Sequence, residues 1–173
     1  MIWTQLAMGV LSSILAAGLF LYILSRLKPK ISISDVISKN KTKENDTEYK
    51  IKIINHGKRD AINLKMEVSL MINKNVFGGV VYNSQQLTLK KSEWFILPSY
   101  KANDKEARYA LRITILEDLE KIWSDDSTQY LRIKVFAQDE MSNFGKVFEK
   151  EYRTIRNSIK EGSFAFGDTM KVL

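Results

Sequence analysis

Met1 to Ser25 carry no charged side chain, and this run constrains the chain more than any other feature. At about 1.5 Å per residue, twenty mainly apolar helical residues cross the roughly 30 Å hydrocarbon core of a bilayer. Trp3 and Tyr22 fall about 28 Å apart on such a helix, the spacing of two interfacial aromatic belts. The run ends in Arg26, Lys28 and Lys30. The pattern predicts a transmembrane helix over residues 1–27. A secretory signal needs a basic n-region and a cleavage site beyond its apolar stretch. Nothing before Arg26 is basic, and Ala16-Ala17-Gly18 lies inside the run. A buried core helix of this length is equally out of place in a small domain.

The flanking charges set the expected orientation. Arg26, Lys28, Lys30, Lys39, Lys41 and Lys43 follow the helix, against only the α-amino group before it. The positive-inside rule then puts the N-terminus outside and the following domain in the cytoplasm, a single-pass arrangement in the cell inner membrane. Within the helix, Gly9, Ser13 and Ala17 follow small-xxx-small spacing, with Ser12 and Ala16 alongside. Small side chains let helices approach closely in lipid, so this face is the expected contact of a homo-oligomer. Gln5 adds a polar group that favours a partner helix over lipid.

All 27 basic and 20 acidic residues lie beyond Ser25, so the following domain alone carries the net charge of +7. A basic domain beside a bilayer implies attraction to anionic headgroups or to an anionic ligand. Zero cysteines exclude disulfides and thiolate metal sites.

Pro29 disfavours helical geometry at Lys28 and ends the helix there. Residues 28–48 read as a juxtamembrane linker with one strand at Ile31 and Ile33, followed by a polar loop from Ser38 to Thr47. Residues 49–173 read as the domain, because period-2 alternation dominates them. Tyr49, Ile51 and Ile53 face one way, with Lys50 and Lys52 on the other face. Asn55-His56-Gly57-Lys58 is a turn, with Gly57 available for positive φ. Ile62, Leu64, Met66, Val68 and Leu70 define a half-buried antiparallel strand. Further apolar pieces are Val80 to Tyr82, Leu87 with Leu89, and Trp94 to Leu97. Tyr109 to Ile115 and Leu131 to Ala137 alternate cleanly, and Leu116, Leu119 and Trp123 stand at helical spacing between them. Asp139 to Phe144 turns into a strand from Gly145 to Tyr152, and Gly162 and Gly167 bracket a last short strand. Eight to ten short strands with turns between them fit an antiparallel sandwich or barrel and argue against βαβ units.

Asp139, Gly145, Tyr152, Ile159, Gly162 and Phe164, in strand–turn–strand–loop order, resemble the last hairpin of the cytoplasmic immunoglobulin-like domain of inward-rectifier potassium channels. Ile51 to Ile62, with Asn55 and Arg59, resembles an early strand and turn of the same domain. The likeness covers about half of the domain and leaves out residues 72–107. The channel's second span, pore helix and Thr-x-Gly-Tyr-Gly filter have no counterpart. The resemblance implies an all-β cytoplasmic domain, an immunoglobulin-like antiparallel β-sandwich, on a single N-terminal transmembrane helix. It also implies a domain that oligomerises and responds to an anionic ligand.

Enzymatic signals are poor. His56 is the only histidine, and the acidic pairs Asp125-Asp126 and Asp139-Glu140 fall in loops. There is no Walker loop, dinucleotide fingerprint or nucleophile elbow, and no cofactor is expected. His56, Lys58 and Arg59 around Gly57 form the better candidate, because cations beside free backbone donors suit phosphate. Arg153 and Arg156 are a second candidate ligand site, and Arg26, Lys28 and Lys30 are the expected membrane-surface contacts. No feature points to DNA or RNA binding. The leading expectation is a non-enzymatic membrane effector or sensor, whose β-domain binds an anionic, cyclic-nucleotide-type messenger and perturbs or gates the membrane. Its design resembles small bacterial antiviral effectors, including ancillary membrane effectors of type III CRISPR systems that respond to cyclic oligoadenylates. The alternative is a passive anchor that recruits a protein partner.

Overall fold

The computed structural model describes residues 2–41, 47–126 and 128–173. Lys43, one of the flanking charges, and most of the expected loop before Thr47 lie outside them. The apolar run forms helix α1 (Ile2–Arg26), 25 residues long. Among the described residues it is the one helix long and apolar enough to cross a membrane. Leu27 closes the last turn, its N–H donating to Leu24 O at 2.9 Å. Lys28 and Pro29 then lie outside regular structure, as expected where a proline bars its preceding residue from helical geometry.

The rest of the chain is mostly β-structure. Its strands are β1 (Ile31–Ile33), β2 (Ile37–Lys41), β3 (Thr47–Asn55), β4 (Ala61–Val76), β5 (Gly79–Leu87), β6 (Glu93–Leu97), β7 (Ala110–Ile115), β8 (Gln129–Asp139), β9 (Gly145–Tyr152) and β10 (Ile159–Glu161). Two single-turn helices, α2 (Leu119–Ile122) and α3 (Ile155–Ser158), interrupt the strands. In the first sheet, β3 pairs with β7 on one edge and with β1 and β2 in succession on the other. In the second, β4 pairs with β8, β8 with β9, and the far edge of β4 takes β5 and β6 end to end.

One hydrophobic core joins the two sheets. Tyr49, Ile51, Ile53 and Ile113 come from the first, and Leu64, Val68, Leu131, Ile133 and Val135 from the second. These are the inward positions of period-2 strands, so the alternation builds the core directly. Trp123 and Leu119 of the α2 turn plug it from the side.

Several expectations are corrected. Among the described residues of 28–48, the expected strand at Ile31 and Ile33 is β1, but Ser38–Lys41, expected in the polar loop, belong to β2 of the first sheet. Ser34 patches the break between β1 and β2. Its N–H donates to Lys52 O, its Oγ donates to Val36 O, and Lys52 N–H donates back to that Oγ. The set is not wholly antiparallel, because β10 lies parallel to β2. The strand through Ile62 slips register between Ile62 and Lys65, where Asn63 has φ 51°. That bulge turns Ala61, not Ile62, into the core. Leu116 is exposed, and Ser163–Phe166 is irregular except for one bridge between Phe164 and Val172.

The largest correction is Lys52, which is 1% exposed although the alternation puts it on an outer face. The C-terminal segment folds over that face. Lys52 Nζ donates to the carbonyls of Ala165, Gly167 and Thr169 at 2.7–2.8 Å. Burial, followed by the charge of Arg112, lowers its pKa to about 8. Beside it, Ile54, Ala107 and Tyr109 form a small second core with Tyr100 and Met170.

Candidate functional site

The predicted basic turn connects β3 to β4 at the end of the domain nearest α1. Its architect is Asn55, whose side chain is fully buried. Asn55 Nδ2 donates to the carbonyls of Arg59, Leu97 and Pro98 at 3.0–3.2 Å, and its Oδ1 accepts from Gly57 N–H at 2.8 Å. This turn, closed by a side chain, explains the glycine differently from the expectation. Gly57 is not among the residues with positive φ. A Cβ there would instead lie 2.8 Å from Asn55 Oδ1, so glycine is required for space.

Two hydrogen bonds hold this end of the domain to the helix exit. His56 N–H donates to Lys30 O at 2.8 Å, and Ser142 Oγ donates to Leu27 O at 2.6 Å. Ser142 belongs to the β8–β9 loop, which Asp139 organises. Asp139 Oδ1 accepts from the N–H groups of Met141 and Ser142, and its Oδ2 takes Arg59 Nε at 2.7 Å. Burial pushes the Asp139 pKa up, but these donors outweigh it and hold the carboxyl below its usual range. Arg59 therefore ties the β3–β4 loop to the β8–β9 loop.

The same geometry uses up backbone donors that a bound phosphate would need. His56 N–H goes to Lys30, Gly57 N–H to Asn55, and Asp60 N–H to Glu140 Oε1. Asp60 in turn accepts from Ser99 N–H, adding a carboxylate to the turn. What remains exposed is the Lys58 side chain and His56, which stands 6.2 Å from the Tyr100 ring. Lys28 and Lys30 are exposed on the adjoining strand entry, and Arg26 lies over the Tyr22 ring with Nη2 donating to Tyr22 OH.

Arg153 and Arg156 stand elsewhere. Arg153 follows β9, whose Tyr152 pairs with Leu131, whereas the Arg59 loop lies at the Asp139 end of β8. At about 3.3 Å per residue this separates the two clusters by roughly 25 Å. Arg153 pairs with Glu151 over the Tyr130 ring, and Arg156 Nε lies 3.3 Å from Asp125 Oδ2. Of the other lysines, Lys39 is paired with Glu120 at 2.7 Å.

On α1, Gly9, Ser13 and Ala17 are exposed. The hydroxyls of Ser12 and Ser13 both donate to Gly9 O at 2.9 Å. The outer face of the second sheet carries an open groove of about 640 Å³ lined by Asn63, Lys65, Glu93, Trp94, Phe95 and Phe136. Phe95 belongs to the apolar piece from Trp94 to Leu97. β6 covers only the short Ala61–Lys65 part of β4, which leaves Phe95 in solvent. Among the described residues, no three His, Cys, Asp or Glu side chains come together as a metal site. No protein-family model matches the chain, and no curated protein matches it.

Proposed function

We propose that this chain is a single-pass membrane protein whose β-domain acts by binding, not catalysis, and takes up anionic phosphate groups at its helix-proximal end. The observation that carries the reading is the pair of hydrogen bonds from Ser142 and His56 to Leu27 and Lys30. They hold the exposed Lys28, Lys30 and Lys58 beside the end of α1, at headgroup level if the helix spans. The flanking charge favours a cytoplasmic domain. The two sheets around one core are compatible with an immunoglobulin-like sandwich. Membrane phosphates are favoured over a free messenger, because a flat surface asks only for exposed cations. A messenger pocket asks for backbone donors, and this turn spends those of His56, Gly57 and Asp60 internally.

The test uses the full chain reconstituted in vesicles, with hydrogen exchange followed over residues 55–60. Exchange is expected to slow when anionic lipid replaces zwitterionic lipid, and high salt should reverse this. Each lysine near an anionic surface contributes about 1 kcal/mol, so each Lys→Gln change at 28, 30 or 58 should weaken the effect roughly five-fold. Equal exchange in both lipids overturns the reading. Saturable binding of a cyclic oligoadenylate or inositol phosphate to the detergent-solubilised chain would restore the sensor.

A further inference from the structure

The β8–β9 loop joins two features that no soluble loop needs together. Met141 and Phe144 are 68% and 37% exposed, and Ser142 between them is bonded to the first residue beyond α1. The loop is also well supported. Asp139 accepts two of its backbone N–H groups, Asn143 N–H donates to Asp139 O, and Asn143 takes a left-handed turn at φ 57°. Its apolar side chains are thus presented by a braced turn beside the helix end, with Lys28, Lys30 and Lys58 nearby. An apolar tip within a cationic margin is the pattern of a segment seated in the headgroup–acyl boundary.

Resting on the membrane-spanning reading of α1, we infer that this loop is a second membrane contact: Met141 and Phe144 enter the surface of the bilayer that α1 crosses. The occupant is the bilayer because the bonded partner, Leu27, directly follows the end of the apolar helix. A helix and a loop then hold the domain at two points and limit its tilt relative to the membrane.

The chain has no cysteine, so single labels report one site each. An environment-sensitive fluorophore is placed on Met141→Cys, Phe144→Cys, Leu15→Cys or Phe77→Cys in the full chain, reconstituted in phosphatidylcholine–phosphatidylserine vesicles. Leu15 reports α1. Phe77, fully exposed at the β4–β5 turn, reports the opposite end of the domain. Circular dichroism checks that each labelled protein keeps its β-structure. The expected result is blue-shifted emission at positions 141 and 144, quenched by lipids that carry a nitroxide near the headgroup, and at position 15, quenched by lipids that carry it deep in the acyl chain. Position 77 should show neither change. If Leu15 is quenched but 141 and 144 behave like 77, the inference fails while the spanning helix stands. A blue shift at 141 and 144 without lipid quenching means that protein covers the loop, and this also overturns it. If Leu15 itself is not quenched, α1 does not span and the inference falls with that reading.

Discussion

Asp139 is nearly completely buried, yet its carboxylate is held ionised by Arg59 and two backbone N–H groups. Arg59 is consequently a structural residue before it is anything else. Arg59→Ala removes a charge-assisted hydrogen bond from a buried acceptor, at a cost of about 1.5–3 kcal/mol. Denaturant unfolding of the full chain in detergent, with no ligand present, should show this loss. Wild-type stability in a variant assumed to affect only ligand binding would contradict it. The sign of the pH effect follows from the lowered pKa of Asp139. Its contribution is present above the unfolded carboxyl value near 4 and disappears as pH falls through the folded value. The advantage of wild type over Asp139→Asn should therefore shrink below about pH 4.

At the scale of elements, α1 presents its small residues without a neighbour. The hydroxyls of Ser12 and Ser13 donate within their own helix, to Gly9 O, so neither donates across a helix contact. What the face offers is closeness, since Gly9 has no side chain to hold a second helix away. If α1 associates with a second copy through it, Gly9→Leu or Ala17→Leu should reduce cross-linked oligomers in mild detergent, because bulk prevents the approach. Unchanged oligomers in both variants would assign any assembly to the β-domain. Strand β4 shows a different element-scale effect. It covers about 50 Å over its 16 residues, so its hairpin with β5 extends past the core. Gly78, at φ 92°, makes the two-residue turn, and Phe77 beside it is left in solvent.

Across the whole molecule, the C-terminal segment converts an outer strand face into an interior one. Lys52 is its fastener, with three carbonyls around one ammonium group, and Arg112 reaches the carbonyls of Phe164 and Ala165 beside it. Lys52→Met keeps the apolar stem but strands those carbonyls, so about 1–3 kcal/mol of stability should be lost. Limited proteolysis should then cut first within residues 163–171. Resistance equal to wild type would show that the bridge between Phe164 and Val172 and the packing of Met170 against the small second core hold the segment unaided.

Sequence alone determined the helix and most of the strands, because each rests on a local period. The uncharged run stops where Arg26 begins, and β7, β8 and β9 lie where alternation and the Asp139–Gly145 turn place them. Lys28, Lys30 and Lys58 were legible as exposed cations for the same reason. Tertiary structure decided what depends on distant residues meeting. Alternation puts Lys52 on an outer face but does not say that residues 163–171 cover that face. A basic triplet reads alike whether or not a carboxylate 80 positions away claims its arginine, as Asp139 claims Arg59. The parallel pairing of β10 and the exposure of Phe95 likewise depend on which edge each strand reaches. Periodicity records the faces of an element, whereas the partner of each face is fixed only when the whole chain closes around its core.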